Sequence, residues 1–266
     1  MQTSYTAETI SIEGTDALAF AQAQFSANVD ALATSHWQFS AWLDAQGRVR
    51  AFFHLARVAD DHLLLLLRGG DAARIADELR RFVFRSKLRI EAQPPRALGT
   101  GPALPLHAIE QFGDTLALGC GDHRLEIGAP HGSDDAWRLP QIRAGWPWLP
   151  EQTLNALLPA ALMLERLHAT ALDKGCYPGQ EMVARLHYRG GHKRHLHCVT
   201  LSQMLSPGSM LREGDDDAIR LLDTMPVSSG AQALAVMRDD IAARGTSGLS
   251  IVHEGQVVAL HIIAFG

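Results

Sequence analysis

Cysteine is scarce in this sequence: Cys120, Cys176 and Cys198 are the only three in 266 residues. An odd number at wide spacing fits a reducing compartment rather than a disulfide framework. Long apolar runs are missing as well. The longest extends from Ala156 to Leu164 and contains Pro159, far short of the roughly 18 residues that a bilayer span requires. Neither sign of charge dominates: 24 Lys and Arg against 29 Asp and Glu leave a net charge of −5. That balance excludes a generally basic nucleic-acid coat, so any anionic partner has to be met by a local patch. The opening stretch carries Glu8 and Glu13 and no basic residue before its first apolar run, the wrong charge order for a signal peptide; the expected location is the cytoplasm. Several motifs are absent too: a P-loop, G-x-G-x-x-G, H-E-x-x-H, C-x-x-C and G-x-S-x-G. Familiar nucleotide and zinc-protease chemistries lose support with them.

What is present is an ordinary globular composition, 47% apolar and 20% charged, long enough for about two domains at roughly 150 residues each. Residues 15–30 begin with the candidate caps Thr15 and Asp16 and place Leu18, Ala21 and Phe25 at helical spacing, which predicts a short helix. Between Phe39 and Leu67, apolar runs flank the turn Asp44-Ala45-Gln46-Gly47 and the pair Asp60-Asp61, the pattern of an antiparallel meander. Asp71 then caps a segment with Ala72, Ile75, Ala76, Leu79, Phe82 and Val83 on one face and Arg74, Asp77, Arg80 and Arg81 on the other, an amphipathic helix. Strands followed by a helix on one face, resuming after a Pro/Gly-rich connection at 94–105, indicate an α+β class. From about residue 193 short β-like runs, broken by Pro207-Gly208, Asp215 to Asp217 and Glu254-Gly255, predict a small all-β module. The Asp triplet reads as a solvated loop.

The chemistry is concentrated in residues 174–197, KGCYPGQEMVARLHYRGGHKRHLH. Gly175, Pro178 and Gly179 suit a tight loop, and good helix formers follow from Gln180 to Leu186. Cys176 then stands just before a helix N-terminus and beside Lys174, a setting that makes a cysteine nucleophilic or metal-ligating. A buried, inert small thiol is the other reading of the same spacing. His187, His192, His195 and His197 meet no recognised ligand spacing, so they read as solvated or core histidines and no metal site is expected. Arg185, Arg189, Lys193 and Arg194 form an anion patch suited to a polyglutamate tail, phosphate or RNA, or else a solvated basic face.

KGCYPGQEMVAR followed by HYRGGHKRHL closely resembles the signature of the YgfZ family, K-G-C-Y-x-G-Q-E. Members of that family are folate-binding relatives of the glycine-cleavage T-protein, linked to iron–sulfur protein maturation. Further segments are similar: AQAQFSANV to the family's L-Q-G-Q-L-T-N-D-V, WLDAQGRVRAFF to L-D-x-x-G-R-V, FRSKL to F-R-S-K-V and RAGWPWL to its A-G-I-P segment. The resemblance runs from about residue 15 to about 210. It implies a T-protein-like fold with two α+β lobes, 1–95 and 96–192, around a central folate channel, and a C-terminal β-barrel at 193–266. It also implies that Cys176 is the functional thiol, positioned by Lys174, Tyr177, Gly179, Gln180 and Glu181. Arg185, Tyr188, Arg189, Gly190, Lys193 and Arg194 form its basic continuation.

The sequence departs from the T-protein pattern where T-proteins carry acid/base carboxylates for one-carbon transfer, since Ala51 and Phe52 stand there. Without a positioned carboxylate, a step typically worth 10²–10⁴-fold lacks its catalyst. Arg143 replaces the glutamate that contacts the pterin in T-proteins, Met163 the family's Asn, and Asn28 the Asp of its T-N-D segment. Glu165 is the nearest surviving acid for a pterin contact, or a helix-surface carboxylate. The implied ligand is tetrahydrofolate or a derivative, with Glu165, Arg143, Arg185, Tyr188, Arg189 and Lys193 as candidate contacts. The implied role is a folate-binding accessory factor for assembly or repair of iron–sulfur clusters in client enzymes, indirectly supporting tRNA methylthiolation, rather than a classical enzyme. A tetrahydrofolate-dependent one-carbon transferase or demethylase is the alternative, and direct tRNA binding through the 185–194 patch is a third reading.

Overall fold

Three antiparallel sheets carry the fold in the computed structural model, which describes residues 6–129, 131–214 and 216–266. Two adjacent strands at the start enter different sheets: β1 (Thr6–Ala7) and β2 (Thr9–Glu13). The first sheet joins β2 to β3 (His36–Leu43), β4 (Val49–Ala59), β5 (His62–Leu67) and β6 (Arg89–Ala92) in the order β3-β4-β5-β2-β6. Its β3-β4-β5 part is the expected meander. Ala51, Phe53, Leu55, Leu63, Leu65 and Leu67 face one core, shared with helices α1 (Ala17–Gln24) and α2 (Ala72–Arg80). Phe52, Ala56 and Leu66 face another. Burial on both faces explains why β4 and β5 read as near-continuous apolar runs instead of alternating ones.

Helix α1 is shorter than the sequence pattern predicts. The Asp16 carboxylate caps nothing in it; Oδ2 accepts the Lys87 N–H at 2.6 Å, and Phe25 leaves the helix to bridge Trp42 across the sheet. Helix α2 starts as expected, with Asp71 Oδ1 accepting the Arg74 N–H at 2.7 Å, the ordinary N-cap bond. It stops at Arg80, so Val83 reaches the core from a turn and Phe82 is left at the surface, edge-on to Trp42 with ring centroids 5.9 Å apart.

The second sheet takes β1 with β7 (Arg96–Gly101), β8 (Ile109–Phe112), β9 (Thr115–Gly119) and β10 (Arg124–Ile127), in the order β1-β7-β10-β9-β8. Helix α3 (Arg138–Arg143), a 3-10 turn (Glu151–Thr153), a run of turns and helix α4 (Gln180–Arg189) follow. The third sheet is six-stranded, built from β11 (Arg194–Leu201), β12 (Met210–Glu213), β13 (Asp216–Val227), β14 (Gly230–Arg238), β15 (Leu249–His253) and β16 (Gln256–Ile263), with α5 (Asp239–Gly245) between β14 and β15. Its order is β12-β13-β14-β11-β16-β15, and the edge strands β12 and β15 approach each other, so the sheet nearly closes into a barrel. Asp216 and Asp217 belong to β13 rather than to a loop, because they pair with Glu213 and Arg212 of β12; Asp215 lies outside the described residues, as do the first five residues of the chain. One core cluster joins all three sheets through Phe39, Leu98, Leu118, Trp137, Leu196 and Leu234. The result is the expected α+β architecture with a C-terminal barrel-like sheet. Among the described residues, no helix is long and apolar enough to cross a membrane.

Candidate functional site

The segment leading to the motif is fixed from the N-terminal sheet. Ser26, fully buried, donates from Oγ to the Ala169 carbonyl at 2.6 Å, and its own carbonyl accepts the Ala171 N–H at 2.8 Å. Lys174 then reaches back, donating from Nζ to the carbonyls of Phe25 at 2.6 Å and Ala27 at 2.7 Å. Burial draws this ammonium down to about 8. The ammonium is thus directed at the loop after α1, where it ties the motif to the first sheet. Its Nζ also stands 5.1 Å from the centroid of the Tyr177 ring.

Gly179 makes the turn into α4. Its φ is +79°, and a Cβ there would lie 2.6 Å from the Asp44 carbonyl oxygen and 2.7 Å from Gly47 Cα. The reciprocal approach is as close: at Gly47, φ +80°, a Cβ would meet Met182 Cβ at 2.7 Å. The glycine of the Asp44–Gly47 turn and the second glycine of KGCYPGQE are therefore two halves of one backbone contact that admits no side chain. Helix α4 runs to Arg189, beyond the Leu186 end expected from helix formers, with Glu181 in its first turn and His187 and Arg189 in its last, both favourable to the helix dipole.

A cavity of about 960 Å³ opens beside this helix. Met182, Val183 and Leu186 of α4 form one wall, Met163, Ala171 and Leu172 another, and Asn28 and Gln38 reach in from the N-terminal lobe. His192 and His195, at the entry to the barrel, close the rim. His187 Nδ1 lies 2.9 Å from Glu165 Oε1, and His195 Nδ1 lies 2.6 Å from Asp239 Oδ1. His192 Nε2 is buried with no hydrogen-bond partner, and burial lowers the His192 pKa. Arg166, also on the wall, already donates to the Ala144 and Gly145 carbonyls at 2.7 and 3.0 Å.

The predicted site residues separate into four places. Glu165 and Tyr188 line the cavity; Glu165 sits in a turn, not on a helix. Cys176 is exposed on the loop that enters α4, separated from the helix by Tyr177, Pro178 and Gly179. Tyr177 is buried beneath it, its hydroxyl without a hydrogen-bond partner and its pKa pushed up to about 12 by burial. Gln180 and Glu181 begin the helix, and Arg185, Arg189 and Lys193 stand exposed on its outer side and just beyond it. Arg143 lies at the end of α3, donating from Nε to Gln232 Oε1 of the barrel at 2.9 Å. Cys120 and Cys198 are buried, and burial pushes their thiols up to about 12 and about 11.

The chain matches no protein-family model. An uncharacterised protein of Haemophilus influenzae is 29% identical to it over 191 residues, 70% of this chain and 68% of the relative. The tRNA-modifying protein YgfZ of Edwardsiella ictaluri is 30% identical over 221 residues, 70% of this chain and 66% of the relative. The protein of the same name from Photobacterium profundum is 26% identical over 268 residues, covering 87% and 81%. The chain belongs to the YgfZ family. The crystal structure of the glycine cleavage system aminomethyltransferase T from Bartonella henselae superimposes with a TM-score of 0.71 over 97% of this chain and 82% of that one, at 15% identity. The fold is thus that of a T-protein.

Within this family fold, Ala51 and Phe52 are both fully buried, Ala51 in the core beneath α1 and α2 and Phe52 stacked on Phe39 in the shared core. Sequence reasoning gave no cavity role to Gln38, His168, His192 or His195. Their common surface arises from strand register and from the turn run ahead of the motif, and no local spacing signals it.

Proposed function

We propose that the protein is a folate-binding accessory factor that supports assembly or repair of iron–sulfur clusters in client enzymes and, through them, tRNA modification. The observation that carries this reading is the 960 Å³ cavity walled by the helix that KGCYPGQE starts, with Cys176 exposed on the adjoining loop. The volume is at the upper end of small-molecule sites, about 300–1,000 Å³. The lining suits a flat heterocycle with a polar edge and an anionic tail: Met163, Leu172, Val183 and Leu186 for the ring, Asn28 and Gln38 for its hydrogen-bonding edge, and His192 and His195 for the tail. The orphaned His192 Nε2 is a polar group that a ligand would satisfy. When bound, a reduced folate would supply a one-carbon carrier.

In this reading the chain's own residues hold and present. Lys174 and the Gly179–Gly47 contact fix the loop; Cys176 offers a soft sulfur that suits iron or sulfane sulfur; and Arg185, Tyr188, Arg189 and Lys193 offer a basic, aromatic approach for ligand or client. The transferase reading finds no carboxylate at positions 51 and 52.

Calorimetry of the purified protein with a reduced folate, at concentrations adequate for micromolar affinity, is expected to show binding; its absence sinks the ligand assignment. For the role, a bacterial strain lacking its own family member is complemented with this protein or with Cys176→Ala at matched levels, and methylthiolated tRNA is measured. Rescue by the wild type alone is the expected result, whereas equal rescue by both would reduce Cys176 to packing.

A further inference from the structure

Residues 80–89 read Arg-Arg-Phe-Val-Phe-Arg-Ser-Lys-Leu-Arg, five basic residues and no acid in a chain whose net charge is −5. They connect α2 to β6, and all five basic side chains are exposed. Arg80 is held by Asp77, and its Nε donates to the Ile90 carbonyl at 2.8 Å. Arg89 Nε lies 3.5 Å from Glu91 Oε1. Arg81, Arg85 and Lys87 form no ion pair among the described residues.

Two aromatic side chains are interleaved with these cations. Phe82 is 36% exposed, its ring against buried Trp42, and Phe84 is 86% exposed. The backbone that presents them is pinned: the Lys87 N–H donates to Asp16 Oδ2 at 2.6 Å and its carbonyl accepts the Asp16 N–H at 3.4 Å. Val83 and Leu88 turn inward onto the core. The loop therefore displays an open ring, a second ring held against the protein, and three uncommitted cations on a fixed frame. A short series of contacts links it to the motif, since Trp42 bridges to Phe25, whose carbonyl receives Lys174.

We propose that this loop is a binding site for a single-stranded segment of RNA, in which Phe84 stacks on an unpaired base while Arg81, Arg85 and Lys87 hold the flanking phosphates. An exposed ring among unpaired cations is the arrangement that single-stranded nucleic acids require, because every base presents a π-face and every nucleotide a charge. A lipid surface is the poorer match: the apolar residues beside Phe84 face the core, leaving a single ring to insert, whereas interfacial binding scales with apolar area buried. The choice of RNA rests on the tRNA-modification reading above. The surface shares no residue with the cavity lining or with the 185–194 patch.

The test is fluorescence anisotropy of a short labelled oligouridylate with the purified full-length protein at low salt. Wild-type protein is expected to bind, with affinity falling as salt rises with a slope of about −2, from roughly −0.7 for each of three phosphates on a single strand. Phe84→Ala is expected to weaken binding about tenfold with the salt slope unchanged. Arg85→Ala with Lys87→Ala is expected to flatten the slope by about 1.4. Phe84 is exposed, so its variant should fold, and circular dichroism melting checks this. No binding by the wild type overturns the proposal. So does a Phe84→Ala protein that binds as well as wild type, or one in which Phe84 matters for phosphatidylglycerol vesicles and not for the oligonucleotide. The oligonucleotide measurement needs neither folate nor a client enzyme, so its failure is distinct from failure of the calorimetry or the rescue.

Discussion

The interior junctions built on Arg68 and Arg138 and the surface built on KGCYPGQE use polar side chains to opposite ends. Arg68 is completely buried, yet each of its guanidinium nitrogens has an acceptor: Nε gives to the Pro147 carbonyl, Nη1 to Gln141 Oε1 and Nη2 to the Trp146 carbonyl, each at 2.8 Å. Burial pulls its pKa down to about 9. Arg138 of α3 pairs with buried Asp223 of β13 and gives a further bond to the Thr224 carbonyl at 2.8 Å, joining the turn region to the barrel. Around the motif, by contrast, Cys176 and Tyr188 project into solvent and the Tyr177 hydroxyl and His192 Nε2 stay without partners. The completed set of bonds at Arg68 ties the end of β5 to the turn region, whereas an incomplete set leaves valence for a ligand. The two regions should therefore fail differently when damaged.

The largest stability loss is expected at these buried junctions. Arg68→Met keeps an apolar stem but strands the Pro147 and Trp146 carbonyls and Gln141 Oε1, and Asp223→Ala leaves the Arg138 cation buried beside a neutral methyl. For Asp223→Ala, removing one partner of a buried charged pair typically costs about 3–5 kcal/mol; for Arg68→Met, whose partners are neutral, each stranded acceptor costs about 1–3 kcal/mol. Each variant should lower the urea midpoint by that equivalent, and a loss under about 1 kcal/mol would show that these bonds contribute no more than surface pairs.

Gly179→Ala is expected to fall next, at roughly 2 kcal/mol, from the cost of a left-handed L-residue and the overlap of its Cβ with the Asp44 carbonyl and Gly47 Cα. Because the strain sits in the motif loop, folate binding by calorimetry should weaken together with the midpoint. Weakened binding at unchanged stability would mean that the loop moves independently of the first sheet.

His54 breaks the simple contrast, since it lies in the core and neither ring nitrogen has a partner. It packs between Trp37 and Phe39, with ring centroids 4.6 and 4.8 Å away. Burial first, then the Arg68 charge, holds its pKa well below 6.5. Above 6.5 the imidazole is neutral in both folded and unfolded chains and adds nothing to the pH dependence. Below 6.5 the unfolded chain takes up the proton and the folded one does not, so stability falls with pH by at most about 1.4 kcal/mol per unit for this residue until the depressed folded value is reached. His107, His192 and His197 are lowered in the same sense by burial and add smaller slopes. His54→Phe, close in shape, should flatten the fall in thermal midpoint between about pH 6.5 and 5; an unchanged profile would place the titration elsewhere.

How much of this was legible in the sequence follows the range of the signals. The Asp71 cap, the Asp44–Gly47 turn and the meander are written in neighbouring residues and appear where expected. The K-G-C-Y-x-G-Q-E spacing is equally local, and it led directly to the family. Helix α1 was overextended because Asp16, a good cap by type, turns its carboxylate to Lys87, far along the chain. The cavity was not legible at all. Its wall brings Asn28 and Gln38 together with turns near Met163 and histidines of the barrel entry, contacts set by packing between lobes rather than by period. Met163 shows the same limit: its φ of +52° is a conformation that Asn tolerates better than Met, and nothing in the neighbouring sequence signals it.

The smallest expected stability effect belongs to the residue with the largest expected functional one. Cys176 is exposed, so its replacement by Ala creates no cavity and should change the unfolding free energy by no more than about 0.5 kcal/mol, as for other surface substitutions. The same variant should lose rescue of tRNA methylthiolation at equal soluble protein. Urea melts and rescue measured on one preparation series place the two regions on a single plot: Arg68→Met low on stability, Cys176→Ala low on function. A Cys176→Ala protein destabilised by more than about 1 kcal/mol would mean that the thiol packs, and the motif loop would then belong with the buried junctions.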